Sequence, residues 1–164
     1  MHLWTLKYLW LTLRHKWFVF QAGLKVGAGL WDLITHDLSK LSLSELPAYG
    51  RQFYGPADDS DGFIEAWTYH QNRNKHHWEY WIPRTGHNRC NPPHPDGQPV
   101  VMPWRYVREM VADWLGASRA YDGRWPEFNK WPWLVSKFRH MTLHPETRHR
   151  VRYVLAESGY ELLL

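Results

Sequence analysis

The chain has 164 residues, a net charge of +4, a sequence pI near 9.2, 44% hydrophobic and 22% charged residues. That excludes a disordered or fibrous chain and describes one folded domain; the charge is too small to mark a nucleic-acid-binding protein and suits phosphate-bearing small molecules equally. A single cysteine, Cys90, excludes an internal disulfide framework, and the eleven His supply nitrogen donors suited to transition metals.

The run from Leu3 to Val26 carries large apolar residues at helical spacing (Leu3, Leu6, Leu9, Trp10, Leu13, Trp17, Phe20, Leu24) and is ended by Gly27 and Gly29. Lys7, Arg14, His15 and Lys16 interrupt it. No uncharged stretch reaches the ~20 residues of a membrane span and no small-residue cleavage site follows, so it reads as a buried amphipathic helix with His15 near its apolar stripe. A second helix spans 30 to about 38, with His36 and Asp37 near its C-terminal end. A short helix over 45–54 follows Ser42 and Ser44 and stops at Gly55-Pro56; there Glu45 suits the acid of a capping box begun by Ser42.

The acidic stretch 58–62 reads as loop and cap, and 63–81 as one helix. Phe63, Ala66, Trp67, His70, Asn74, His77 and Trp81 fall on one side of it, and polar residues on a core-facing stripe need a reason. Residues 82–103, rich in Pro, Gly, Asn and His, form a loop whose length of about 20 residues favours a functional lid. The next helix covers 104–115, with Asp113 beside Val111 and Trp114 and with Gly116 closing it. Helices over 131–140 and 145–158 complete an all-α, single-domain chain.

The strongest local signal for chemistry is His36-Asp37-Leu38-Ser39-Lys40. Adjacent His and Asp can ligate one metal when both face the same cavity, giving a neutral nitrogen and an anionic oxygen. Around it stand His15 one helix earlier, His70, His76 and His77 on a following helix, and Asp113 on a later one. His70 and His77 share a helical face while His76 points about 100° away from His77, which favours His70 and His77 and leaves His76 as the alternative ligand. Asp113 in an apolar setting is costly unless ion-paired or metal-bound. Arg73, Asn74 and Glu45 are weaker candidates, the first two for substrate contacts.

The order His15, His36-Asp37, His70, His76 or His77, Asp113 resembles the HD-domain superfamily of metal-dependent phosphohydrolases, in which separated helices contribute H…HD…D; Lys40 matches the lysine of the HDxGK form. The segments HDLSK, AWTYHQNRNKHHWEYW and REMVADWLGAS are more closely similar to a phage and bacterial HD-like family of unknown function, over roughly 13–118. The resemblance implies an HD-like helical bundle in which His15, His36, Asp37 and Asp113 hold one divalent transition metal (Mn, Fe, Zn, Ni or Co). A second ion would sit on His70 and His76 or His77, with Asp37 bridging. It further implies hydrolysis of a phosphate ester or anhydride, expected to be a nucleotide, with Asp37 and Lys40 catalytic and Lys40 offering a cation to a phosphate oxygen. A cytoplasmic setting in a bacterium or phage-infected cell, and a homodimer, follow by the same analogy. The segment around the histidine pair lacks the signatures of the cyclic-dinucleotide-cleaving and deoxynucleotide-triphosphatase branches, so a particular substrate does not transfer.

Two other readings use the same residues: a di-iron oxygenase with the same ligands, and a binding module with a structural metal site that engages nucleic acid or protein through the Trp-rich, basic C-terminal third. In that third, Trp125 to Trp133 is where a base would stack. The basic runs 137–140 and 148–152 read more readily as solvated helix faces than as a phosphate patch. His140 and His144 have i, i+4 spacing, but Pro145 ends the helix; His87, His94 and Cys90 lack the paired cysteines of a zinc knuckle.

Overall fold

A 24-residue helix, α1 (Leu3–Val26), forms the spine of the molecule and ends where Gly27 takes a left-handed conformation that a side chain would strain. In the computed structural model, which describes residues 2–56, 60–84, 90–127 and 130–160, it is followed by α2 (Leu30–Thr35), α3 (Leu46–Tyr54), α4 (Ser60–Arg73), α5 (Trp104–Asp122), α6 (Pro132–Phe138) and α7 (Pro145–Glu157). Two 3₁₀ turns, Leu38–Leu41 and Trp78–Trp81, link α2 to α3 and follow α4. No strand occurs among the described residues, and the architecture is an all-α bundle. None of these helices is long and apolar enough to cross a membrane.

Helix α1 packs along α5 on one side and crosses α3 on the other, and α7 covers α5. This divides the apolar interior into two clusters. The larger gathers Val19, Ala22 and Val26 of α1 with Val107, Met110, Val111 and Leu115 of α5, Leu134 and Phe138 of α6, and Val151, Val154 and Leu155 of α7. The smaller joins Tyr8, Tyr49 and Ala66 from α1, α3 and α4. His15 lies on α1 between these two clusters and is itself buried.

Helix α5 continues through Gly116 to Asp122, so Gly116 does not close it as its sequence suggests. Its lack of a side chain serves packing instead: a Cβ there would lie 2.6 Å from the backbone nitrogen of Val19. Gly50 plays the same part between α3 and Thr5 of α1.

The core-facing side of α1 is the reverse of the one its hydrophobicity indicates. Buried are Thr5, Tyr8, Thr12, His15, Val19, Ala22, Gly23 and Val26, whereas Leu3, Leu6, Trp10, Leu13, Trp17 and Leu24 are exposed. Close approach to the neighbouring helices selects small side chains such as Thr5, Thr12, Ala22 and Gly23 beside the buried Tyr8 and His15, and leaves the Leu and Trp stripe outside.

The helix expected over 63–81 stops at Arg73. Asn74 ends it by turning its amide onto the carbonyl of His70 at 2.9 Å, a local side-chain bond that competes with continued helix. The 82–103 loop bends away from α4. Its Val100 N–H donates to the Trp81 carbonyl and the Met102 N–H to Thr147 Oγ1, which fastens it to α7. None of its described residues lines the cavity described below, so the lid reading is not supported by them.

Candidate metal centre

Helix α2 ends at Thr35, three residues before the expected point, so His36 and Asp37 form the corner between α2 and the 3₁₀ turn. Asp37 has φ 54°, the left-handed region, and is the one non-glycine residue with positive φ among those described. A strained backbone of this kind persists where the surroundings over-determine it, and here it turns the two consecutive side chains into one cavity.

Asp37 stands at the centre of the cluster. Its Oδ2 lies 3.4 Å from His15 Nε2 and 3.5 Å from His36 Nε2; its Oδ1 lies 3.2 Å from His70 Nε2 and 3.4 Å from His76 Nε2. Asp113 Oδ1 closes the first group at 3.0 Å from His15 Nε2 and 3.5 Å from His36 Nε2. This contact exists because Gly116, one turn along α5, lets the two helix backbones approach. The donors of His15, His36, Asp37 and Asp113 lie within 4.8 Å of one another, and so do those of Asp37, His70, His76 and His77. These buried groups can hold a metal ion. Ligands about 2.0–2.1 Å from one tetrahedral centre stand about 3.3 Å apart, which is the spacing found here.

The hydrogen bonding agrees. Asp37 Oδ1 and Nε2 of His70, His76 and His77 are buried without a hydrogen bond of proper geometry, and Asp37 Oδ2 likewise apart from its ion pair with Lys40, an arrangement costly for polar atoms with no further role. The opposite ring nitrogens are occupied. Glu109 Oε1 accepts from His36 Nδ1 and from His76 Nδ1, both at 3.1 Å, and Glu45 Oε2 accepts from His70 Nδ1 at 2.9 Å. These bonds orient the rings with Nε2 toward Asp37, where a bound ion would displace any proton and take the lone pair, the second layer characteristic of ligating histidines.

Electrostatics follow from this crowding. Burial alone would raise the Asp37 carboxyl, but His36, Lys40 and His70 hold it well below the usual range; His15 and His36 do the same for Asp113. Burial opposes charge on His76, yet Asp37 and Glu109 raise it to about 10, and Asp113 and Asp37 raise His15 against its own burial. Burial and the neighbouring His76 and His70 keep His77 well below the ordinary imidazole value. Lys40 Nζ lies 2.6 Å from Asp37 Oδ2, which more than offsets burial and holds the ammonium charged.

Four members of the cluster, His15, His76, His77 and Asp113, line a cavity of about 300 Å³. Lys40 and Glu79 add charged groups to its lining, and Phe53, Phe63, Trp67, Trp78, Tyr121 and Trp133 stand among its aromatic walls. A larger surface groove of about 740 Å³ beside Trp125 and Trp131 holds no member of the cluster, and its Arg124 and Lys130 both stand near Glu127.

Of the residues singled out in the sequence, His15, His36, Asp37, His70, His77 and Asp113 come together. His76, the alternative ligand, does so as well and lies against Asp37, because the break after Arg73 removes the helical phase that set it apart from His77. Arg73 and Asn74 do not line the cavity. Arg73 reaches Glu45 Oε1 at 3.4 Å, and the Asn74 amide bonds Ser39 Oγ at 2.9 Å. Glu45 gives its backbone N–H to Ser42 Oγ, as a cap would, but its carboxylate is turned inward to His70. His144 caps α7 through the Glu146 N–H and His140 receives Arg139, so they share no site; His94 bonds the Gln98 carbonyl, Cys90 is exposed, and His87 lies outside the described residues. Arg148 donates to the carbonyls of Phe138 and Met141, and Arg150 to that of Met102, so these cations serve packing.

Glu109 and Glu79 escaped the sequence reading. Glu109 stands four residues before Asp113 and so on the same face of α5, a spacing that could have revealed it. Glu79 has no such signal. Burial pushes its carboxyl up, and its Oε2 has no hydrogen-bond partner.

Fold and site together define an all-helical protein with a buried His/Asp/Glu cluster able to hold metal. The chain belongs to a family of unknown function (DUF5662), whose profile matches residues 5–157. No curated protein and no solved structure matches it.

Proposed function

We propose that the chain is a metal-dependent hydrolase of phosphate esters or anhydrides, with a nucleotide as the expected substrate. The observation that supports it most is the division of Asp37, one oxygen toward His15 and His36 and the other toward His70 and His76. A carboxylate placed so is a bridging ligand. His15, His36, Asp37 and Asp113 would hold one divalent ion, and Asp37, His70 and His76, with His77 beside them, a second. The resemblance of the ligand order to HD domains supports the same reading. Ions held there would lower the pKa of water and neutralise charge on a phosphoryl group.

The chain's own residues supply the rest. Lys40 brings a fixed positive charge to the cavity, suited to a phosphate oxygen. Glu79, raised by burial, is the group in the lining placed to give or take a proton. The aromatic walls exclude water and offer a face to a base.

The test is elemental analysis of protein purified without chelator or affinity metal, beside Asp37→Ala and Asp113→Ala, followed by a broad panel of phosphate esters and anhydrides. Metal in the wild type, its loss in both variants, and turnover that falls in folded, metal-loaded Glu79→Gln are expected. A metal-loaded wild type inert on the whole panel defeats the hydrolase reading. Oxygen uptake by the iron form would point to the oxygenase instead.

A further inference from the structure

We infer that the outward face of α1 is a helix-pairing seam through which two copies of this chain associate. The apolar residues on that face recur with alternating steps of three and four. Leu3, Trp10, Trp17 and Leu24 take one position of a seven-residue repeat, and Leu6, Leu13 and Phe20 the other. A repeat of 3.5 residues held over three heptads is the pattern of a seam between helices. Apart from Phe20, which is partly buried against the larger core cluster, it does not serve the core, because the buried side chains of α1 lie on the opposite face.

The surface is large enough. Trp10 and Trp17 are 70% and 58% exposed, the exposed Trp31 and Ile34 of α2 extend the face, and a shallow groove lined by Leu13, Lys16, Trp17, Phe20, Leu33 and Ile34 joins the two helices. The apolar side chains of α1 and α2 together present on the order of 1,000 Å² to solvent, against about 800 Å² per partner in a stable interface. Patches of that size are rare on monomers, and Trp is enriched where interfaces hold.

The charges distinguish a second copy from a lipid surface. Residues 2–31 contain no acid, and the cations near the seam are Lys7, Arg14 and Lys25 along its edge and Lys16 in the groove, its ammonium turned to the carbonyls of Ile34 and His36. Pairing brings like charges near one another, so the dimer holds or tightens as salt screens them, whereas binding to anionic lipid weakens.

Analytical ultracentrifugation of the full chain, as purified and over a wide concentration range, should give the mass of two chains at low and high salt. In Trp10→Glu/Trp17→Glu, association should weaken about 1,000-fold or more, with helicity and metal content unchanged. Trp10→Ala/Trp17→Ala should weaken it in the same direction without adding charge. A single chain at every concentration, a two-chain species dissolved by salt, or one that survives both double variants overturns the inference. So does a single-chain wild type that co-sediments with phosphatidylserine vesicles, which would assign the face to a membrane surface.

Discussion

Replacing Glu109 tests the cluster at the point where its two halves meet. One carboxylate oxygen receives the Nδ1–H of His36 from the first donor group and of His76 from the second. Glu109→Ala leaves two buried N–H groups without an acceptor, at about 1–3 kcal/mol each, so the metal-free protein should lose about 2–6 kcal/mol. Removal of an acceptor behind a ligating histidine weakens metal binding by about 10–100-fold, and here both groups should weaken together. Glu109→Gln retains an oxygen able to take both bonds and removes only the charge, so its losses should be smaller in stability and affinity alike. Calorimetric unfolding of chelated protein and competition titration against a chromophoric chelator measure the two effects. Loss confined to one binding step, or an alanine variant with wild-type affinity, would refute the view of Glu109 as the common support.

Gly116→Ala should act on the same site from a distance. The added Cβ would sit 2.6 Å from Val19 N, about 1 Å inside normal contact, so α5 must move from α1 at a cost of about 1–3 kcal/mol. The 3.0 Å approach of Asp113 to His15 widens with it, and reduced metal affinity at unchanged helicity is expected; full affinity would show that the close packing does not set the site. For metal-free protein, His15 and His76 lie above the ordinary imidazole value of 6.5, His76 at about 10. The stability they contribute is complete below pH 6.5 and is lost as pH rises toward 10, while His77, held low, works the other way only below 6.5. Thermal unfolding of chelated protein should therefore fall in temperature from pH 6.5 upward, and metal should bind with proton release and more tightly as pH rises. A melting temperature that climbs over that interval without metal would contradict these protonation states.

Much of this was legible in the residues themselves. Helix α1 could be placed to its ends because its pattern is long and Gly27 stops it, Asp113 could be named because a carboxylate among apolar neighbours demands a partner, and His36 and Asp37 because an adjacent His-Asp pair can offer two donors to one cavity. What escaped was whatever depends on which face turns inward. Hydrophobicity alone assigns the Leu and Trp stripe of α1 to the core, whereas close helix packing gives that place to Thr12, His15 and Ala22. The break at Asn74 escaped for a similar reason: one amide bonding the His70 carbonyl outweighs the helical periodicity of 63–81 and brings His76 to Asp37. Glu109 shares a helix face with Asp113, but its role comes from His36, 73 residues away in the chain, and from His76.

The scattering of the donors along the chain also orders events during synthesis. At about 5–20 residues per second, the ribosome adds Asp113 some 5–20 s after His15. By the end of that interval His15, His36, Asp37, His70, His76 and His77 are all in the chain, still without the α5 backbone docked against Val19 or the Glu109 support behind His36. The nascent chain therefore passes through a period in which its donors are exposed to whichever ion the cell holds in excess, and selection by geometry begins only when α5 docks.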